Sequence, residues 1–266
     1  MRPLPNLMVA PNGARRGKAD HPLLPISLDE LVATAITCHK AGADGIHIHV
    51  RDENDEHSLD VGLYREALAA IETAVPGFFL QVTSEAAGRF GPEAQMTMIK
   101  ELRPSSVSLA FSEVMRPPVE TSMATAFYAW AANNGVCIHH ITYSPDELRA
   151  FLKAVEYGVI PGKMHQLQLV LGSYAGTEPS RPSGLDSFKA LMDARDGDFS
   201  LDWMVCAFGS TETECLVETA RRGGKLRIGF ENSLWNADGT LAEDNAERVR
   251  NVRAALTKAG LARPGS

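Results

Sequence analysis

Eight short runs of apolar or β-branched residues recur along this chain, each separated from the next by enough sequence for one helix. This repetition narrows the fold more than any other feature. The runs lie at residues 7–10, 45–50, 78–82, 106–109, 136–141, 166–171, 202–207 and 226–230. Each strand and the helix after it share roughly 30 residues, the size of one β-plus-α repeat. The intervening segments carry helix signals of their own. Ser27, with Glu30 three residues on, predicts a capped start; Leu28, Leu31, Val32 and Ala35 form an apolar stripe, and Gly42 predicts a stop. Ser144, Pro145 and Glu147 open a second helix whose Leu148, Phe151, Leu152 and Val155 face inward. Val249, Val252 and Leu256 stripe the last helix.

Eight such units predict an α/β protein, a single (β/α)8 TIM barrel. No linker or low-complexity run divides the 266 residues, so residues 1–266 are expected to form one catalytic domain. The alternative, an open doubly wound sheet, ordinarily carries a glycine-rich phosphate turn after its first strand. Ala10-Pro11-Asn12-Gly13-Ala14 is not such a turn. A composition of 44% hydrophobic and 22% charged residues excludes disorder and a coiled coil. The net charge of -7 gives no basic footprint for nucleic acid and no polybasic membrane anchor. No apolar run is long enough to span a membrane, and Met1 to Asn12 lacks the pattern of a signal peptide, so a cytoplasmic protein is expected. Cys38, Cys137, Cys206 and Cys215 have no C-x-x-C pairing and read as reduced, packing thiols.

Barrel active sites are built at the C-terminal ends of the strands, where two segments stand out. In the second strand, Gly45-Ile46-His47-Ile48-His49-Val50, alternation sends both imidazoles to one side and the isoleucines to the other. Two neutral imidazoles inside the mouth suit a borderline divalent ion such as Zn2+, although read alone they could be interior histidines held by hydrogen bonds. The eighth strand, Arg227-Ile228-Gly229-Phe230-Glu231-Asn232, puts Arg227 and Glu231 on one face. In a closed barrel it lies one strand away from the second, so Glu231 can complete a three-ligand site with an open position. Arg227, permanently charged, is the expected electrostatic partner of substrate or intermediate.

Asn12-Gly13-Ala14, Ala41-Gly42-Ala43 leading into His47-x-His49-x-Arg51-Asp52, the stretch from Gly223 through Asn232, and Asn245-Ala246-Glu247 together resemble the beta-keto acid cleavage enzyme family over nearly the whole chain. The resemblance implies a (β/α)8 barrel, a Zn2+ held by His47, His49 and Glu231, and a homotetramer. It also implies condensation of a beta-keto acid with acetyl-CoA, releasing acetoacetate and a new acyl-CoA. Thr83 and Ser108 match positions where family members bind the substrate, and Asn12 and Asn232, within the matching motifs, join them as substrate-binding candidates. Gly209 and Ser210 open the helix after the seventh strand and are the candidate contact for the CoA diphosphate.

The chain also departs from the family pattern. Asn232 stands where an Asp is common, and the fifth strand reads Cys137-Ile138-His139-His140-Ile141-Thr142-Tyr143 in place of acidic residues. Glu85, where the family tends to have Gly, and Glu113 are therefore the candidate bases. Of His139 and His140 one at most faces the barrel. His21, His39, His57 and His165 are expected in loops or helices. Two rival readings keep the barrel: a metal-dependent hydrolase or aldolase-type lyase acting on a keto acid, and a catalytically altered keto-acid binder.

Overall fold

The computed structural model describes residues 2–115, 121–174 and 180–261. Eight parallel strands close into a barrel: β1 (Leu7–Val9), β2 (Gly45–Ile48), β5 (Phe79–Thr83), β6 (Ser106–Ala110), β7 (Cys137–Thr142), β8 (Met164–Leu171), β9 (Ser200–Ala207) and β10 (Lys225–Ile228). Each expected run forms one of them. The seam pairs β1 with β10 on one side and with β2 on the other, through Met8↔Arg227 and Met8↔Gly45. A short antiparallel hairpin, β3 (Val50–Arg51) and β4 (His57–Ser58), follows β2 and was not expected.

The helices form where their caps predict. In α1 (Leu28–Ala41) the capping box closes in both directions between Ser27 and Glu30, and Gly42 ends the helix; Leu31, Ala35 and Cys38 are its buried stripe, with Leu28 and Val32 half-buried. In α6 (Pro145–Glu156) the Ser144 hydroxyl accepts from the Glu147 N–H. The outward faces of the strands, including Val9, Ile46, Ile48, Val107, Leu167 and Val205, pack against the helices in one large apolar cluster. Among the described residues no helix is long and apolar enough to cross a membrane.

Inside the barrel the layers differ. Leu4, Met8, Phe79 and Met204 plug the N-terminal end. Above them lies a polar layer that includes Gln81, Ser106, His139, Gln166, Gln168 and Arg227, all buried, where barrels usually stack branched aliphatic side chains. The uppermost rung of β6 to β9 is apolar again: Ala110, Ile141, Val170 and Cys206 form a separate cluster with Phe208 packed on it.

Two of the recognised motifs act on strand ends. The Asn12 side chain donates to the His49 carbonyl at 2.9 Å and accepts from the His49 N–H at 3.4 Å, imitating a neighbouring strand. The β2 ladder therefore stops at Ile48, short of the expected Val50. Asn245, the first residue of α9 (Asn245–Lys258), accepts from the Phe230 N–H at 2.9 Å and donates to the Pro11 carbonyl at 3.1 Å. It thereby ties the turn after β10 to the loop after β1.

Candidate active site

At the C-terminal mouth three donor atoms converge. His47 Nε2 and His49 Nε2 are 3.1 Å apart, and Glu231 Oε2 lies 3.5 Å from the first and 3.6 Å from the second. A tetrahedral zinc with ligand bonds of about 2.05 Å separates its donors by about 3.3 Å, so the triangle has the size of one face of that polyhedron. Glu231 Oε2 is buried with no hydrogen-bond partner, while Oε1 accepts from Arg227 Nη2 at 2.9 Å. One carboxylate oxygen is thus fixed by the guanidinium and the other is left facing the imidazoles. The residues fit a divalent ion. Glu231 sits just beyond β10, in the turn that Gly229 opens with φ +144.

The charge states suit ligation. Burial pushes His47 down to about 3 and His49 to about 4, so both imidazoles present lone pairs at neutral pH. Burial alone would raise the Glu231 carboxyl; Arg227 beside it, and then the two imidazoles, hold it well below the usual carboxylate range. The His47 tautomer is set from behind, with Nδ1 2.9 Å from Gln81 Oε1. The Gln81 amide nitrogen donates in turn to Ser106 Oγ at 3.1 Å and to His139 Nδ1 at 3.0 Å. Such a relay leaves His47 Nε2 bare, as metal ligation requires.

Gly13 has φ +64, and a Cβ there would lie 2.6 Å from Glu231 Cγ, so the loop can pass over the carboxylate only with glycine at this position.

The other expected site residues fall around the same mouth in different roles. Thr83, Glu85, Arg227 and Glu231 line a cavity at the mouth together with His47, Ile141, Tyr143, Val170, Tyr174, Cys206 and Phe208. The Thr83 hydroxyl oxygen accepts from Ser108 Oγ at 3.1 Å and from the Glu85 N–H at 3.0 Å, which leaves its own hydrogen to donate. Ser108 stands beside Thr83 in register on β6 and is not among the residues lining the cavity. Asn232 Oδ1 is 3.5 Å from Arg227 Nη2, and its amide nitrogen is buried without a partner. The Asn12 amide is occupied with His49 and with the Pro25 carbonyl, at 3.1 Å.

The two carboxylates differ. Glu85 Oε2 lies 3.9 Å from His49 Nε2, and burial, then the charge of Glu231, raises its pKa to about 7. Glu113 Oε2 accepts from Gln95 Nε2 at 2.5 Å and from the Ala86 N–H at 3.3 Å, bracing the loop that carries Glu85. The Gly209 N–H is 3.4 Å from the Asn232 carbonyl and Ser210 is exposed, while Glu212 and Glu214 stand in the first turn of α8 (Glu212–Arg221).

Gln81, His139 and His57 were not singled out for this centre. Of the two adjacent histidines His139 faces inward, whereas His140 packs between Tyr128 and Phe151. His57 and His165 lie in β4 and β8 rather than in loops or helices. The ring of His57 lies 5.0 Å from that of His49, with its Nε2 3.0 Å from the Glu85 carbonyl. Alternation along β5, which puts Gln81 on the face of Thr83, was the available signal for Gln81; nothing in the sequence marks His57.

A closed (β/α)8 barrel with a His-x-His pair and a carboxylate at its C-terminal mouth is the framework of a barrel enzyme. The model of the beta-keto acid cleavage enzyme family matches residues 6–263, and the chain belongs to that family. It is 26% identical over 261 residues to 3-oxoadipate:acetyl-CoA acetyltransferase of Cupriavidus necator, spanning 96% of this chain and 89% of that protein. It is 25% identical over 251 residues to 3-keto-5-aminohexanoate cleavage enzyme of Fusobacterium nucleatum, spanning 90% and 86%. Among solved structures, the binary complex of ObcA with oxaloacetate shares the fold with a TM-score of 0.65 at 15% identity. The match covers 90% of this chain and 65% of that one, so this chain spans slightly less than two thirds of ObcA.

Proposed function

We propose that the protein is a zinc-dependent acyltransferase that converts a beta-keto acid and acetyl-CoA into acetoacetate and a new acyl-CoA. The observation that carries this reading is the convergence of His47 Nε2, His49 Nε2 and Glu231 Oε2 on one point of the mouth. The names of the Cupriavidus and Fusobacterium relatives, one an acetyl-CoA acetyltransferase, support the chemistry. His47, His49 and Glu231 would hold Zn2+, which as a Lewis acid lowers the cost of the negative charge that develops on the substrate ketone.

The remaining steps fall to the chain's own groups. The Thr83 hydroxyl and the free Asn232 amide hydrogens are donors for the substrate carboxylate and ketone. Glu85 takes the α-proton, and its raised pKa suits an acceptor working near neutrality. The α-carbon then attacks the thioester carbonyl, one C–C bond forms and the CoA thiolate leaves. That thiolate attacks the original ketone carbon, the older C–C bond breaks as the new thioester forms, and the α-carbon released takes its proton back from Glu85 before acetoacetate departs. Arg227, with its charge directed at Glu231 and the cavity, offsets the anion at both stages. Glu113, Gln81 and Asn12 act by positioning. The CoA phosphates are assigned to the rim, where Ser210 and Arg15 are exposed. A homotetramer is carried over from the resemblance, to be read by sedimentation velocity.

The test is acyl-CoA and acetoacetate formation from acetyl-CoA and a beta-keto-acid panel, with the metal content measured alongside. About one zinc per chain, lost in His47→Ala, and turnover lowered about 10²- to 10⁴-fold in Glu85→Gln are expected. A folded, active protein without stoichiometric divalent metal would overturn the reading.

A further inference from the structure

The mouth of the barrel has two unlike halves. Strands β10, β1, β2 and β5 deliver Arg227, Glu231, His47, His49 and Thr83, all polar. Strands β6 to β9, the other half of the ring, end in Ala110, Ile141, Val170 and Cys206. Ala110 pairs with Ile141 and Val170 with Cys206, the four side chains pack as one cluster, and Phe208 and the Tyr174 ring, 4.6 Å from it between centroids, extend it outward. The cavity lies between the halves, with Thr83, Glu85, Arg227 and Glu231 on one wall and Ile141, Val170, Cys206 and Phe208 on the other.

From this juxtaposition we infer that the substrate is a beta-keto acid whose tail, beyond the ketone, is uncharged and apolar, lying against Ile141, Val170 and Phe208. The inference rests on the proposed function, which puts the acid and ketone at the metal ligands. A ligand held there by its carboxylate and ketone has one direction left for its tail, across the cavity onto the apolar rung. Among the described residues Arg227 is the one cationic side chain lining the cavity, and it is engaged by Glu231, Cys206 and Asn232. A second carboxylate against Ile141, Val170 and Phe208 would therefore be desolvated with no cationic side chain on that wall, Arg15 being exposed and facing Glu85. An ammonium tail fares no better, because the carboxylates Glu85 and Glu231 stand on the metal wall and Glu85 already faces Arg15 at 3.9 Å. Cys206 contributes packing: burial pushes its thiol up to about 11, so it meets the ligand as a neutral, apolar group.

The test is kcat/KM for acyl-CoA formation across beta-keto acids of matched length with alkyl, aryl, carboxylate and ammonium tails, together with equilibrium binding of the same acids in the absence of acetyl-CoA. The alkyl series is expected to gain about fourfold per buried methylene until the cavity fills. Charged tails are expected to fall at least a hundredfold below the alkyl acid of equal length. Phe208→Arg, which leaves every metal ligand in place, is expected to narrow the gap for the carboxylate tail by tenfold or more. Charged tails turned over or bound within threefold of the alkyl acid would overturn the inference and leave the proposed function standing. No acyl-CoA from any acid with the metal loaded would overturn the function, and in that case tighter binding of the apolar tails would still uphold the preference.

Discussion

Replacing Gln81 by Leu separates the proposed metal ligands from the layer beneath them. The side chain is fully buried and makes three contacts, with His47 Nδ1 at 2.9 Å, Ser106 Oγ at 3.1 Å and His139 Nδ1 at 3.0 Å. Leu leaves all three partners without a hydrogen bond. At about 1 to 3 kcal/mol for each stranded group, the fold should lose about 3 to 9 kcal/mol, less whatever the new apolar contacts return. The effect on the metal is smaller but more specific. Loss of a hydrogen bond behind a ligating histidine typically weakens metal affinity 10- to 100-fold, or about 1.4 to 2.7 kcal/mol. Zinc competition against a chromophoric chelator, with circular dichroism to establish that the variant is folded, measures it directly. Gln81→Glu sharpens the test: a carboxylate accepts more strongly from His47 Nδ1–H, and His139 can exchange tautomers because its Nε2 has no partner. Zinc affinity at or above that of the parent is expected for Glu. If Leu binds zinc within twofold of the parent, or if Glu loses as much as Leu, Gln81 does not orient His47.

Gly13→Ala should weaken zinc at least tenfold in a folded protein, because the new Cβ would lie 2.6 Å from Glu231 Cγ; zinc retention after dialysis against a chelator measures it. Acidification should unfold the metal-free chain early. His47 and His140 titrate at about 3 and His49 and His57 at about 4 when folded, against about 6.5 unfolded, so the unfolded state binds more protons and stability is lost as pH falls from 6.5 toward 4. Near pH 5 each imidazole contributes about 2 kcal/mol of that loss, and a urea midpoint unchanged between pH 7 and 5 would contradict it. Arg248→Met strands the Glu212 carboxylate, 2.6 Å from Arg248 Nη2 with both side chains fully buried. A cost of about 3 to 5 kcal/mol, a Tm lower by about 10 °C, should be largely restored by adding Glu212→Gln.

The eight strands were legible because each is a run of apolar residues with helix caps on either side, and repetition made closure the economical reading. The pairing of His47 with His49 followed from alternation, and the reach of Glu231 from the closure that puts one strand, β1, between β10 and β2. The hairpin of β3 and β4 was not legible, since two-residue strands carry no periodicity, and with it went the place of His57 behind His49. Gln81 needed the register His47↔Gln81, a property of two strands rather than of one. The choice between His139 and His140 likewise depends on the register of β7 with β6, where Ser108 faces His139. The family motifs marked Asn12, but its amide serves the His49 backbone, which only coordinates reveal.

The seam of the barrel would give an ion at this site a second consequence. His47 and His49 arrive on β2, near the start of the chain, and Glu231 follows β10, near its end, with β1 hydrogen-bonded to both. The donor triangle therefore does not exist until the first and last strands have met, about 180 residues of intervening chain having been folded around it. An ion bound there acts as a clasp on ring closure. It binds the shut barrel and not the open one, so its free concentration sets how often the ring opens, by RT ln(1 + [L]/Kd). Exchange of backbone amides along β1 should accordingly slow with added zinc, while exchange on the far side of the ring, at β7, stays nearly constant.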